Sequence, residues 1–290
     1  MTRDIALVLS SGGARGFAHI GAIRVLEREG YRIRSIAGSS MGALVGGIHA
    51  TGQLKEFEDF VRSLDIRDVL KLTDVTISKR GFVKGKKVIE KMKEIIPDRN
   101  IEELPIPFCA VATDIINGTE RIFTEGKLYD AIRASISIPT VFQPFNIGEH
   151  FYMDGGVLNP VPILHVKRHP GDLLVVVYVN AQVPFEHERV PEPKPMDPET
   201  LTLIRRIQAK LHSPIPKDKK DDIGIFNLTN RSLSLMLNRI ALMTLEGNKP
   251  DVLVNIPREA YGTFDFYKAK EIIKLGEKET EKALRCLSPS

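Results

Sequence analysis

Gly38-Ser39-Ser40-Met41-Gly42 sets a serine hydroxyl between two glycines, in the G-x-S-x-G spacing of an activated nucleophile. An apolar, strand-like run from Ile33 to Ala37, with Arg34 and Ser35 inside it, comes before. A helix-like run from Ala43 to Thr51, closed by Gly52, comes after. A serine on such a strand-to-helix turn is held at a strained corner with its oxygen exposed. Gly38 and Gly42 fit because a Cβ at either place would crowd the corner. The alternative is a plain glycine-rich turn.

A nucleophilic serine needs donors for the oxyanion of its tetrahedral intermediate. Ile5 to Leu9 is a short apolar run of the buried parallel-strand kind. It enters Ser10-Ser11-Gly12-Gly13-Ala14-Arg15-Gly16, after which Phe17, Ile20, Ile23 and Leu26 recur on one helical face, with Gly30 as the C-cap. Free backbone N–H groups and the positive end of a helix dipole gather at such a loop. The loop fits nucleotide binding poorly. A dinucleotide fingerprint has its first glycine at the place of Ser11 and an acid about 20 residues on. The corresponding stretch, Arg32 to Ile36, has none. The Gly-Lys-Ser/Thr of a P-loop is absent too. Asp154-Gly155-Gly156, following Phe151-Tyr152-Met153, reads by itself as a turn.

Four ordered blocks resemble the patatin-like phospholipases. They are Gly12 to Gly16, Gly38 to Gly42, Ala134-Ser135-Ile136-Ser137-Ile138-Pro139-Thr140-Val141-Phe142-Gln143-Pro144, and Asp154-Gly155-Gly156-Val157-Leu158-Asn159-Pro160. The likeness covers residues 4 to about 180, and the stretch to about 285 more loosely. It implies a cytoplasmic esterase of bacterial or archaeal type with a three-layer α/β fold. It further implies a dyad of Ser40 as nucleophile and Asp154 as its base. The oxyanion hole would come from Gly12, Gly13, Ala14, Arg15 and Gly16, with Gly38, Gly42, Gly155 and Gly156 in support. The substrates would be acyl esters, usually of lipids, with no cofactor and no metal. The chain departs from the family at Ser11, where many members carry a first glycine.

An aspartate with a pKa near 3.9 is a poor base at neutral pH, so the dyad requires a partly desolvated Asp154 within hydrogen-bond reach of Ser40. The competing arrangement is a Ser-His-Asp triad. His165 and His169 follow Asp154, and Asp114 could supply the acid. His165 falls in a helix-like stretch, His169 before a Pro-Gly turn, and His150 in a hairpin, so all three read as surface or packing residues.

These side chains need a scaffold. The chain of 290 residues and 42% hydrophobic content supports a sizeable core, read as one domain over 1–290. Apolar runs Ile5–Leu9, Ile33–Ala37, Phe108–Ala112, Leu173–Val179 and Val252–Ile256 alternate with helical patterns, as in a mainly parallel sheet flanked by helices. Both glycine motifs then lie at strand C-terminal ends, where open α/β sheets bind ligands. Pro184 to Pro216 holds seven of the 18 prolines, so 184–222 reads as a mobile insertion, an ordinary surface loop or a lid, with an amphipathic helix over Leu201–Leu211. Leu228 to Leu245 reads as a packed helix with Met236 and Met243 as core filler.

Two distant cysteines, Cys109 and Cys286, and no Cys/His cluster argue against a disulfide framework or a metal site. No apolar run approaches 18 residues, and Met1-Thr2-Arg3-Asp4 leads to too short an apolar stretch for a signal peptide, so a cytoplasmic protein is expected. Formal net charge is +4, with seven basic residues between Lys79 and Lys93 against the single acid Glu90. That patch suits either a solvated surface or peripheral contact with an anionic membrane. Nucleic acid is disfavoured because aromatic residues do not interleave the basic ones. Arg15 is read as bracing the glycine loop or meeting a headgroup phosphate, with a salt bridge across the helix start as the purely structural alternative. Asn159 is read as fixing a turn through backbone bonds, and Asp114 as bracing a loop. Acyl transfer, thioester cleavage and a non-catalytic lipid-sensing or partner-binding role on the same scaffold remain alternatives. The sequence leaves acyl chain, headgroup and oligomeric state open.

Overall fold

The five apolar runs become five parallel strands, because each is long enough to span a sheet and apolar on both faces. The computed structural model describes residues 3–72, 85–139, 141–185 and 225–286. The parallel strands are β1 (Arg3–Leu9), β2 (Tyr31–Ser39), β3 (Phe108–Asp114), β7 (Leu173–Ala181) and β8 (Val252–Pro257). Three short strands run antiparallel to their partners: β4 (Thr119–Phe123), β5 (Phe145–Ile147) and β6 (His150–Asp154). The eight-stranded sheet has the order β5-β6-β3-β2-β1-β7-β8, with β4 paired to β3.

The helices are α1 (Ala18–Arg28), α2 (Met41–Ala50), α3 (Leu54–Ser63), α4 (Ile66–Leu72), α5 (Lys86–Ile95), α6 (Leu128–Ser135), α7 (Ile225–Gly247) and α8 (Ala269–Arg285). They form the outer two of three layers. Ile5, Leu7 and Leu9 of β1 pack with α1, α2, α3, α5, α6 and α8 on one face of the sheet. Ala6 and Val8 pack on the other with Ala241 and Leu245 of α7 and with Val161, Ile163 and Val166. The alternation follows from the two-residue period of a strand.

Helices α1 and α8 cross at two glycines. A Cβ on Gly21 would strike the Ile273 carbonyl oxygen, and one on Gly276 the Ala18 carbonyl oxygen. Their absence lets the last helix settle directly on the first.

Two expectations need revision. The stretch around His165 is a single 3-10 turn, Ile163–His165, and not a helix. Met236 and Met243 are 60% and 56% exposed, so they are not core filler; α7 packs through Ala241 and Leu245 instead. Lys79, Arg80 and Lys84 lie outside the described residues. Of the remaining basic side chains there, Lys86, Lys91 and Lys93 are paired with Glu90, Glu94 and Asp98. Of the expected insertion over 184–222, only Pro184 and Phe185 are described, and Leu201–Leu211 lies outside.

Candidate active site

The register of β3 brings the two motifs together. β2 pairs with β3 up to Ser39 opposite Val111, and β6 pairs with β3 from Asp154 opposite Ala112. β4 occupies Ala110 to Asp114 of β3, so β2 and β6 share the opposite edge and meet end to end there. The residue after Ser39 therefore faces the last residue of β6.

Ser40 has φ 54° and ψ −123°, a positive φ found at no other non-glycine residue among the described ones. It links β2 to α2 as a sharp elbow. The elbow needs its flanking glycines, since a Cβ on Gly38 would strike the Gly42 backbone and one on Gly42 the Leu9 carbonyl. The Ser40 N–H donates to Ser135 Oγ (2.9 Å), which itself donates to the Val111 carbonyl (2.6 Å).

Ser40 Oγ donates to Asp154 Oδ2 at 2.5 Å, and Gly156 N–H donates to Asp154 Oδ1 at 2.8 Å. The Asp154 N–H donates to the Ser137 carbonyl (2.9 Å), and Thr113 Oγ1 donates to the Asp154 carbonyl (3.0 Å). Both the Ser40 and Asp154 side chains are buried. Desolvation pushes the Asp154 carboxyl up to about 6, against the smaller opposing pull of the bonds from Ser40 and Gly156. Gly155 opens the 3-10 turn Gly155–Val157 that aims the carboxylate.

The glycine loop lies alongside. Ser11 N–H donates to the Pro160 carbonyl (2.9 Å), tying the loop to the Asp-Gly-Gly segment. Gly13 to Phe17 form a 3-10 turn leading into α1. Among the described residues, the N–H groups of Gly12 and Gly13 take no hydrogen-bond partner. The Ala14 N–H is not a free donor, because it bonds the Thr263 carbonyl (2.8 Å), so the five-residue hole expected from the sequence loses Ala14. Arg15 turns inward and is buried. Its Nε and Nη2 donate to Asn180 Oδ1 (3.0 and 2.7 Å) and its Nη1 to the Tyr261 carbonyl (2.8 Å). It braces the loop through neutral oxygens and not through a salt bridge. Burial pulls its guanidinium down to about 10, still protonated at neutral pH.

No described histidine bonds Ser40 or Asp154; His187 and His212 lie outside the described residues. His150 Nδ1 meets Asp114 Oδ2 (2.8 Å), four residues up β6 from Asp154, roughly 13 Å away at the rise of a strand. Asp114 also accepts from Ile116 N–H and Asn117 N–H, and so caps the turn after β3. His165 Nε2 meets Glu120 Oε2 (2.7 Å), and His169 pairs with Asp172. Asn159 donates its side chain to Glu120 Oε2 (2.9 Å), a carboxylate and not the backbone expected for it. Among the described residues no group of three or more His, Cys, Asp or Glu side chains could hold a metal ion. Likewise, no described helix is long and apolar enough to cross a membrane.

Sequence reasoning assigned no role to Ser135, Ser137, Thr113 or Asn180. The first two fall inside the Ala134–Pro144 block, which was the available signal for them. Asn180 carries none.

An α/β sheet with a serine elbow at the end of one strand and a carboxylate beside it defines a class of protein, and the comparisons narrow it. The patatin-like phospholipase family profile matches residues 7–167. An uncharacterized NTE family protein of Mycobacterium tuberculosis (strain ATCC 25618 / H37Rv) is 33% identical over 329 aligned residues, covering 97% of this chain and 91% of its own length. Lysophospholipase NTE1 of Eremothecium gossypii is 26% identical over 280 residues, covering 94% of this chain and 18% of its own length. Among solved structures, VipD from Legionella pneumophila superposes with a TM-score of 0.49 at 14% identity, over 98% of this chain and 67% of that one. At that score the superposition carries no argument of its own. The chain belongs to the patatin-like phospholipase family. That membership supports lipid hydrolase activity in general terms.

Proposed function

We propose that this protein hydrolyses acyl esters of lipids, phospholipids or lysophospholipids, through Ser40 and Asp154. The observation that carries the reading is the 2.5 Å hydrogen bond from Ser40 Oγ to a buried carboxylate. Ser40 Oγ attacks the ester carbonyl as its proton passes to Asp154. Negative charge grows on the carbonyl oxygen, and the unpaired N–H groups of Gly12 and Gly13 receive it, with help from the positive end of α2. Collapse of the intermediate expels the alcohol, which takes the proton from Asp154. Asp154 then draws a proton from water as that water attacks the acyl-serine, and as the second intermediate collapses it passes that proton to Ser40 Oγ while the fatty acid leaves. The lysophospholipase name of the Eremothecium relative makes a lysophospholipid the first substrate to try. We also propose a cytoplasmic setting, in which Cys109 and Cys286 remain free thiols.

Acyl transfer and thioester cleavage use the same acyl-serine and differ only in acceptor or leaving group. A panel of alcohols and thioesters separates them from hydrolysis. A purely lipid-binding module has no need of the dyad. Fluorophosphonate labelling that is present in the native protein and absent in Ser40→Ala supports the enzyme, whereas equal labelling of both removes Ser40 as nucleophile.

A further inference from the structure

The peptide between Ser11 and Gly12 is gripped from one side. Asn180 Nδ2 donates to the Ser11 carbonyl at 2.8 Å. The other end of the same amide, Oδ1, accepts two bonds from Arg15. Arg15 is itself pinned to the Tyr261 carbonyl and contacts Thr263 Oγ1 at 3.4 Å. Asn180 therefore cannot flip without losing all three of its bonds, and its donor is fixed toward Ser11.

In a trans peptide the C=O and the following N–H point in opposite directions. There are no cis peptide bonds among the described residues. Holding the Ser11 carbonyl toward Asn180 thus turns the Gly12 N–H the other way, and that N–H has no partner in the protein. The loop at this point is wedged against the start of α2 and the Asp154 turn. A Cβ on Gly42 would lie 2.8 Å from the Ser10 carbonyl oxygen, and one on Gly156 2.7 Å from Ser11 Oγ.

We infer that Asn180 is a positioning residue for acyl-ester cleavage: held by Arg15 at one end of its amide and donating to the Ser11 carbonyl from the other, it aims the Gly12 N–H at the developing oxyanion. This rests on the reading of Ser40 as nucleophile. Asn180 touches no reacting atom. Its effect belongs to the transition state, where charge on the oxygen is largest, and not to binding of the neutral ester.

The variant that isolates the role is Asn180→Asp. A carboxylate there keeps an acceptor for Arg15, now as an ion pair, but cannot donate to the Ser11 carbonyl and repels it. The expected result is a fall in kcat of about 10²–10³-fold with KM changed less than about threefold, and a parallel fall in the rate of fluorophosphonate labelling. The melting transition should stay cooperative and fall by no more than about a few degrees, the loss of one buried hydrogen bond, and the acid limb of the pH–rate profile should stay in place because Asp154 is untouched. A lost melting transition or a displaced acid limb would make Asn180 merely structural and overturn the inference, as would native kcat. Arg15→Lys gives a second test: it keeps the charge, loses the two-pronged hold on Asn180 Oδ1, and should lower kcat in the same direction but less. Turnover by Ser40→Ala at the native rate would instead remove the dyad reading beneath, a result distinguishable from native kcat in Asn180→Asp alone.

Discussion

Ser39 and Asp154 lie opposite consecutive residues of β3, Val111 and Ala112, on one edge of that strand. The hydroxyl of the next residue, Ser40, reaches the Asp154 carboxylate because two strands from distant parts of the chain stop head to head on a third. The Ser40–Asp154 pair is thus placed by a backbone ladder.

Ionised Asp154 is the base in the proposed mechanism, and its carboxyl is raised to about 6. The value of kcat/KM should fall tenfold per pH unit below about 6 and level off above it. Asp154→Asn should reduce kcat by at least about 10⁴-fold while labelling becomes slow at every pH. A flat rate from pH 5 to 8 would remove Asp154 from the base role.

Ser135 accepts the Ser40 N–H and donates to Val111, 95 residues from the first partner and 24 from the second. Ser135→Ala removes both bonds, leaves the buried Ser40 N–H without its partner and should cost about 1–3 kcal/mol in stability, with a loss of kcat as the elbow relaxes. Ser137 holds Asp154 through its carbonyl, which Ser137→Ala retains, so the kinetic loss there should be smaller. Chemical denaturation and steady-state kinetics on both variants check this; equal kinetic losses would contradict it.

His19 and His49 are buried, and desolvation holds each down to about 4. Unfolded, they bind protons below about 6.5, so from 6.5 down to 4 the unfolded chain is the more protonated and stability falls with falling pH. The slope is up to about 1.4 kcal/mol per unit for each histidine. Asp154 acts in the other direction. Between about 6 and 3.8 the folded chain keeps a proton that the unfolded one has released, so acidification there adds stability. Asp154→Asn should therefore melt above the native protein at pH 8, with the gain gone by pH 4. Thermal melts across this range test it, and a gain independent of pH would refute the desolvation account.

The parallel strands were legible because each is an unbroken apolar run. β4 was not, since Thr119 to Arg121 are exposed; of β5 and β6 only the hairpin around His150 was, since Phe145–Ile147 is only three residues long. Ser40 and Asp154, which the structure brings into contact, stood out because each lies in a short motif. Ser135 and Asn180 did not, because their roles exist only through contacts 95 and 169 residues away in the chain. The methionines of α7 were misread for a related reason: apolar residues occur all round that helix, so periodicity could not say which side meets the sheet.

That exposed side gives a further test. Met236→Ala and Met243→Ala should each change stability by less than about 0.5 kcal/mol, since both side chains already face water. Leu245→Ala, at a position only 9% exposed, should cost about 2–5 kcal/mol. Comparable losses at all three would mean that the helix sits on the sheet by another side.

The crossing of α1 and α8 at Gly21 and Gly276 has a bearing on how small a working enzyme can be. The family profile ends at residue 167, yet Asn180, Tyr261 and Thr263 hold Arg15 and Ala14, and the closing helix seats on the helix that the glycine loop launches. Trimming the protein to its motif-bearing portion would leave the proposed nucleophile and base in place but strip the anchorage of the proposed oxyanion donors, so under the proposed mechanism the minimal active unit runs through to that helix.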